Sequence, residues 1–186
     1  MFNKKLSKLK EVILLTIDSS KTHYYNKQIV NTQQRALEII DKISELNPVK
    51  NKIKIQNYLA DIDGILSMES TDAKRKEFQV LYDVFESINP AWISFDKILM
   101  KIVNNKKITS IEWLNTAKEM LNSMLNKDLD ISLGSTCLWG LMFLMGKNIQ
   151  VDDKIEDLFM RYIDDISTLK EVKNALKQTN ELIQRK

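Results

Sequence analysis

The sequence predicts an all-α fold of about nine helices arranged in antiparallel hairpins. Three observations carry that expectation. Apolar residues recur with a period near 3.6 along almost the whole chain, which gathers them on one face of successive helices. Only four Gly and two Pro occur in 186 residues, too few to punctuate a strand-and-turn fold. A content of 44% hydrophobic and 28% charged residues is the balance of a globular chain, not a disordered one.

A chain of this length buries well over half of its unfolded surface and needs neither disulfides nor metal to fold. It is read as a single helical domain over residues 1–186. The first helix carries Leu6, Leu9, Ile13 and Ile17, with a break or bend expected at Asp18-Ser19-Ser20. The second runs from about Thr22 to Leu46 and aligns Ile29, Ala36, Ile40 and Ile43. The third aligns Ile55, Leu59, Ile62 and Leu66. The fourth follows the capping cluster Ser70-Thr71-Asp72 and aligns Phe78, Leu81, Phe85 and Ile88. The fifth shows Trp92, Phe95, Leu99 and Ile102; the sixth, from Thr109 or Ser110, shows Leu114, Ala117, Leu121 and Leu125. The seventh spans about Ser135 to Met145, with Gly146 as its expected C-terminal cap. Ile155, Leu158, Phe159 and Tyr162 mark the eighth, and Leu169, Val172, Leu176 and Ile183 the ninth.

Two segments are near copies, 42 residues apart: Leu46-Asn47-Pro48-Val49 and Ile88-Asn89-Pro90-Ala91. Asn is a good helix cap, and Pro suits the first helical position, where its missing N–H has no intrahelical acceptor to lose. Asn47 and Asn89 are therefore expected to open the third and fifth helices. A period of about 40 residues with two helices per unit resembles HEAT-like or armadillo-like solenoids. The alternatives are thus an irregular bundle or a short HEAT-like solenoid. Near 135–145, Cys137 to Met145 is apolar on every side, which predicts a central helix wrapped by its neighbours. The other reading leaves one face open to a partner, because Met adapts to varied surfaces.

Several classes of chemistry lack their residues. With one histidine, His23, the chain cannot build Glu-x-x-His di-iron sites or multi-histidine phosphohydrolase centres. The single cysteine, Cys137, is expected to be a small buried hydrophobe in a reducing compartment, hence a cytoplasmic setting. Lys4, Lys5, Lys8 and Lys10 before Val12–Ile17 have the outline of a secretory leader, but Asp18 ends the apolar run too early and no small-residue cleavage site follows. The sixteen uncharged residues between Asp130 and Lys147 fall short of the roughly 20 apolar residues of a membrane span. No glycine-rich phosphate loop is present.

Acidic pairs are the remaining catalytic candidates. Asp61-x-Asp63-Gly64 starts like a calcium loop, but Leu66 stands where its invariant Gly belongs, so Gly64 is expected to mark a bend or a close helix contact. Asp152 to Asp157 is the densest acidic cluster, and Asp153 with Glu156 could share Mg²⁺; a helix start prefers the same residues for its dipole. Glu38-x-x-Asp41 and Glu69-x-x-Asp72 superficially suggest the motifs of all-α nucleotide pyrophosphohydrolases. Tyr162-Ile163-Asp164-Asp165 matches a polymerase string that belongs on a β-hairpin. No residue is assigned a catalytic or metal-binding role, and no cofactor is expected.

Charge is unevenly spread. Residues 1–60 hold eleven Lys or Arg against five Asp or Glu, whereas the whole chain nets only +3. Lys5, Lys8, Lys50, Lys52 and Lys54 are the expected partner-binding residues, on a basic N-terminal face that would attract an acidic surface. Lysine greatly outnumbers arginine there, and arginine is the better reader of phosphates and bases. The expectation is a non-enzymatic helical protein-interaction module. A Lys-, Asn- and Ile-rich composition suits an AT-rich microbial genome, in which small proteins of the immunity, antitoxin or inhibitor kind are frequent. The alternatives are a metal-assisted hydrolase using the acidic clusters and a nucleic-acid-binding protein.

Overall fold

A computed structural model of the chain describes residues 1–20, 27–67, 73–148, 153–164 and 166–185. Among the described residues there are nine α-helices, one π-helical turn and no strand, so the fold is all-α. The chain forms two compact units, Met1–Asn89 and Pro90–Lys186.

The first unit comprises α1 (Phe2–Ser20), α2 (Lys27–Ser44), α3 (Lys52–Ser67) and α4 (Ala73–Ile88). Its principal packings join α1 to α2, α2 to α3, α3 to α4 and α4 back to α1. Three side-chain contacts show that neighbours run antiparallel. Lys10 in the first half of α1 pairs with Asp41 near the end of α2. The Thr16 hydroxyl near the end of α1 donates to Glu77 near the start of α4. Asn89, just past α4, donates to Gln56 in the first turns of α3. The unit is thus an up-down-up-down four-helix bundle. Stacked HEAT-like hairpins would pair like helices of successive repeats; the closure of α4 onto α1 makes a ring instead.

The predicted apolar stripes form its core. Leu6, Leu9, Ile13 and Ile17 are buried from α1, Ala36, Ile40 and Ile43 from α2, and Ile55, Leu59, Ile62 and Leu66 from α3. From α4 the core takes Leu81, Phe85 and Ile88, while Phe78 is only half-buried and Glu77 is buried in its stead. At the Asp18-Ser19-Ser20 cluster, where a break or bend is expected, α1 stays helical through its last residue, Ser20. The predicted start of the second helix, the Ser70-Thr71-Asp72 cap and the Ile29 side chain lie outside the described residues.

Each of the two Asn-Pro segments is tied to its surroundings through its Asn side chain. Asn47 Oδ1 accepts from the backbone N–H groups of Val49 and Lys50 at 3.0 and 3.1 Å, as a helix cap does, and its carbonyl accepts from Asn51 N–H. Asn89 is 4% exposed, and its amide is directed at Gln56. Pro90 bounds α5 without a side-chain cap of its own.

The second unit comprises α5 (Ala91–Val103), α6 (Ser110–Leu125), α7 (Ile131–Asn148), α8 (Asp153–Leu158), a π-turn (Phe159–Ile163) and α9 (Leu169–Gln184). Its central element is α6, which packs against α5, α7 and α9. Accordingly α6 buries Trp113, Met120 and Met124 in addition to the predicted Leu114, Ala117 and Leu121. Capping boxes start α6 at Thr109 and Glu112 and α9 at Thr168 and Glu171.

The expected central helix is corrected here. Helix α7 begins at Ile131, where Asp130 Oδ1 accepts from Leu133 N–H, and it continues through Gly146 to Asn148 instead of ending there. It buries Leu138, Leu141, Met142 and Met145 but exposes Trp139 and Phe143 by 46% and 48%. Gly134 lets the start of α7 approach α6: an added Cβ would lie 2.3 Å from Met124 Cε. Cys137, expected to be buried, is half-buried on α7. In the π-turn, Asp164 N–H bonds Phe159 C=O, an i→i+5 spacing. The wider turn moves the buried position from the predicted Tyr162 to Ile163.

Candidate functional site

Antiparallel alternation puts the start of α1, the end of α2, the start of α3 and the end of α4 at one end of the first bundle. That end holds every lysine predicted to bind a partner. With Lys10 opposite Asp41, moving toward the start of α1 means moving toward the end of α2. Lys5 therefore stands level with the end of α2. Lys8 lies one turn further along α1.

Lys8, Lys50 and Lys54 are exposed, and Lys5 and Lys52 are half-buried. Lys5, Lys8 and Lys50 make no ion pair among the described residues. Lys54 Nζ sits 5.8 Å from the centre of the Tyr58 ring. The five lysines share an end rather than a single helix face. On α1 the α2-facing side is marked by Lys10, whereas Lys5, three turns before Thr16, is on the side that faces α4; Lys50 is in the turn after α2, and Lys52 and Lys54 begin α3.

The end is a charge mosaic. Asp41 is occupied by Lys10. Glu45 is exposed and makes no ion pair among the described residues, although Lys42 precedes it by one helical turn; Glu11 is exposed at the middle of α1. Val49 stands 76% exposed in the turn beside Lys50.

The acidic candidates separate. Asp61 is exposed and Asp63 half-buried, so the two do not present a common pair, and burial pushes the Asp63 carboxyl up to about 6. Gly64 is on the exposed side of α3 with nothing within 4 Å of an added Cβ, so it makes no close helix contact. Glu38 is exposed on α2. Asp157 pairs with Arg161 one turn on, at 2.6 Å. Tyr162 and Ile163 are helical and Asp164 follows them in a turn, not on a β-hairpin. Among the described residues no group of three or more His, Cys, Asp or Glu could hold a metal ion, and no helix is long and apolar enough to cross a membrane. His23, Glu69, Asp72, Asp152, Asp165 and the Asp153 side chain lie outside the described residues.

No protein-family model, curated protein or solved structure matches this chain.

Proposed function

We propose that the chain is a non-enzymatic helical protein-interaction module that acts in the cytoplasm through the lysine-bearing end of its first unit. The observation that supports this reading is the gathering of Lys5, Lys8 and Lys50 at one end of a compact bundle, without ion pairs among the described residues to neutralise them. Unpaired cations on a preformed scaffold attract an acidic surface without a cost of ordering the binding segment. Small helical proteins of the immunity, antitoxin or inhibitor kind work in this manner, by covering a patch on another macromolecule.

The test is capture of protein from extracts of the source cell by the immobilised full chain and by its Lys5→Glu/Lys8→Glu/Lys50→Glu variant. The expected result is one stoichiometric protein that the native chain retains, that added salt weakens and that the variant loses. Equal retention of every captured protein by the two chains overturns the proposal.

A further inference from the structure

We infer that the exposed side of α7 pairs with the same side of a second copy of this chain, in an antiparallel two-fold crossing centred on Gly140. The pairing surface lies on the second unit and is independent of the lysine-bearing end of the first. A surface helix ordinarily turns charged side chains toward water. Helix α7 has none over the sixteen residues from Ile131 to Gly146. Its outward side holds Ser132, Thr136, Trp139, Phe143 and Leu144, all exposed, around Gly140. The Trp139 and Phe143 rings stack on one another, with centroids 5.3 Å apart and planes 9° from parallel. They form one apolar plate already fixed in place, so covering it costs little side-chain ordering. Depletion of charge with enrichment of aromatic side chains is the composition of an interface core.

Gly140 indicates what covers that side. Glycine is a poor helix former. Gly134 is required by the approach of α7 to Met124, but Gly140 meets nothing within 4 Å of an added Cβ, and its φ is not positive. Neither packing within the chain nor backbone conformation calls for a glycine there, and it leaves an opening in the middle of the exposed side. The exposed side chains before it, Ser132 and Thr136, are small; those one turn after it, Phe143 and Leu144, are large. An antiparallel crossing at Gly140 sets the large half of each copy over the small half of the other, so the surface is complementary to itself. An uncharged side also meets an uncharged side, and no ionic group is buried without a counter-charge. An aromatic side chain covers roughly 150–250 Å²; with about half of that still open at Trp139 and Phe143, the whole side offers roughly 300–400 Å² per copy, against about 800 Å² in a standard interface. The dimer is accordingly weak and reversible.

Sedimentation equilibrium of the full chain, from about 5 µM to about 1 mM, reads the pairing directly. Reductant keeps Cys137, half-buried on α7, from making covalent dimers. The expected result is a monomer–dimer equilibrium with a Kd on the order of 100 µM. Trp139 is the one exposed tryptophan, because Trp92 and Trp113 are buried, so its fluorescence should move to shorter wavelength as the dimer forms. Phe143→Glu should abolish the dimer. Gly140→Leu tests the geometry by sign. It enlarges the apolar surface but fills the opening, so it should weaken pairing by about tenfold or more, whereas unspecific apolar adhesion would grow stronger. Circular dichroism verifies that the variants keep their helical content. A chain that stays monomeric at the highest concentration overturns the inference, and so does a dimer that Phe143→Glu leaves intact or that Gly140→Leu leaves as tight or tighter. If the Trp139 emission of a monomeric chain shifts on addition of phosphatidylcholine vesicles, the side is a lipid contact and the pairing is refuted.

Discussion

Asn89 Nδ2 donates a hydrogen bond to Gln56 Oε1 at 3.1 Å, joining the end of α4 to the first turns of α3 in the interior of the first unit. Gln56 in turn donates to Lys52 C=O at 3.1 Å. Removing one member leaves a buried amide short of a partner. Asn89→Ala should therefore cost about 1–3 kcal/mol. Asn47→Ala removes only an exposed cap and should cost about 1 kcal/mol. Urea denaturation of the two variants gives the comparison, and a double-mutant cycle of Asn89 with Gln56 should return a coupling that Asn47 with Gln56 lacks.

Two glycines of α7 should respond oppositely to alanine. Nothing lies within 4 Å of a Cβ at Gly140, so Gly140→Ala should gain most of the ~0.8–1 kcal/mol difference in helix propensity. At Gly134 the new methyl would reach 2.3 Å from Met124 Cε and 3.0 Å from Leu129 Cδ2. Displacing these buried side chains offsets the gain, so Gly134→Ala should be neutral or destabilising. Thermal midpoints decide it; a rise for Gly134→Ala equal to that for Gly140→Ala refutes the close approach of α7 to α6.

Gln33 is 1% exposed in the core stripe of α2, and its Oε1 has no hydrogen-bond partner. Gln33→Leu removes the stranded acceptor and should stabilise the chain by about 1–2 kcal/mol. A lower urea midpoint in Gln33→Leu contradicts this account.

Two carboxylates should give opposite pH dependences. Burial raises the Asp63 pKa from 3.8 to about 6, so the folded state holds its proton more tightly. The associated cost is absent below pH 3.8, grows as pH rises toward 6 and is complete above that value. Asp63→Asn should therefore stabilise at pH 7, by no more than about 2 kcal/mol for a half-buried group, and have little effect at pH 3.5. For Glu112 the hydrogen bond from Lys101, then that from Thr109 N–H, lowers the pKa from 4.5 to about 2. Its contribution is present above pH 4.5 and is lost as pH falls toward 2. The side chain is 39% exposed, and solvent screening limits the contribution to about 1 kcal/mol or less. Stability profiles of Asp63→Asn and Glu112→Gln between pH 2.5 and 8 check both signs.

The stripes of α1, α2 and α3 were legible because each of these helices has one buried side, and a single side leaves a 3.6-residue period. That condition fails at α6 and α7. Helix α6 is covered on several sides, so Trp113, Met120 and Met124 are buried outside any one stripe. Helix α7 is apolar throughout, so its composition cannot say which side meets α5, α6 and the π-turn; only tertiary packing separates Leu138 from Trp139. The shift from Tyr162 to Ile163 was hidden because periodicity presumes an α-helical turn, and a π-turn inserts one extra residue. For the candidate site, alternation of hairpins was enough to bring the lysines to one end. The side of α1 that each lysine takes was not, because it depends on α1 packing against both α2 and α4.

That closure has a mechanical consequence. The polypeptide enters the first bundle at the start of α1 and leaves it at the end of α4, on the same side. Tension applied through residues 1 and 89 acts across the helices rather than along them, so it peels them apart contact by contact, a weak loading geometry compared with shear. The lysine-bearing end is also where such tension enters.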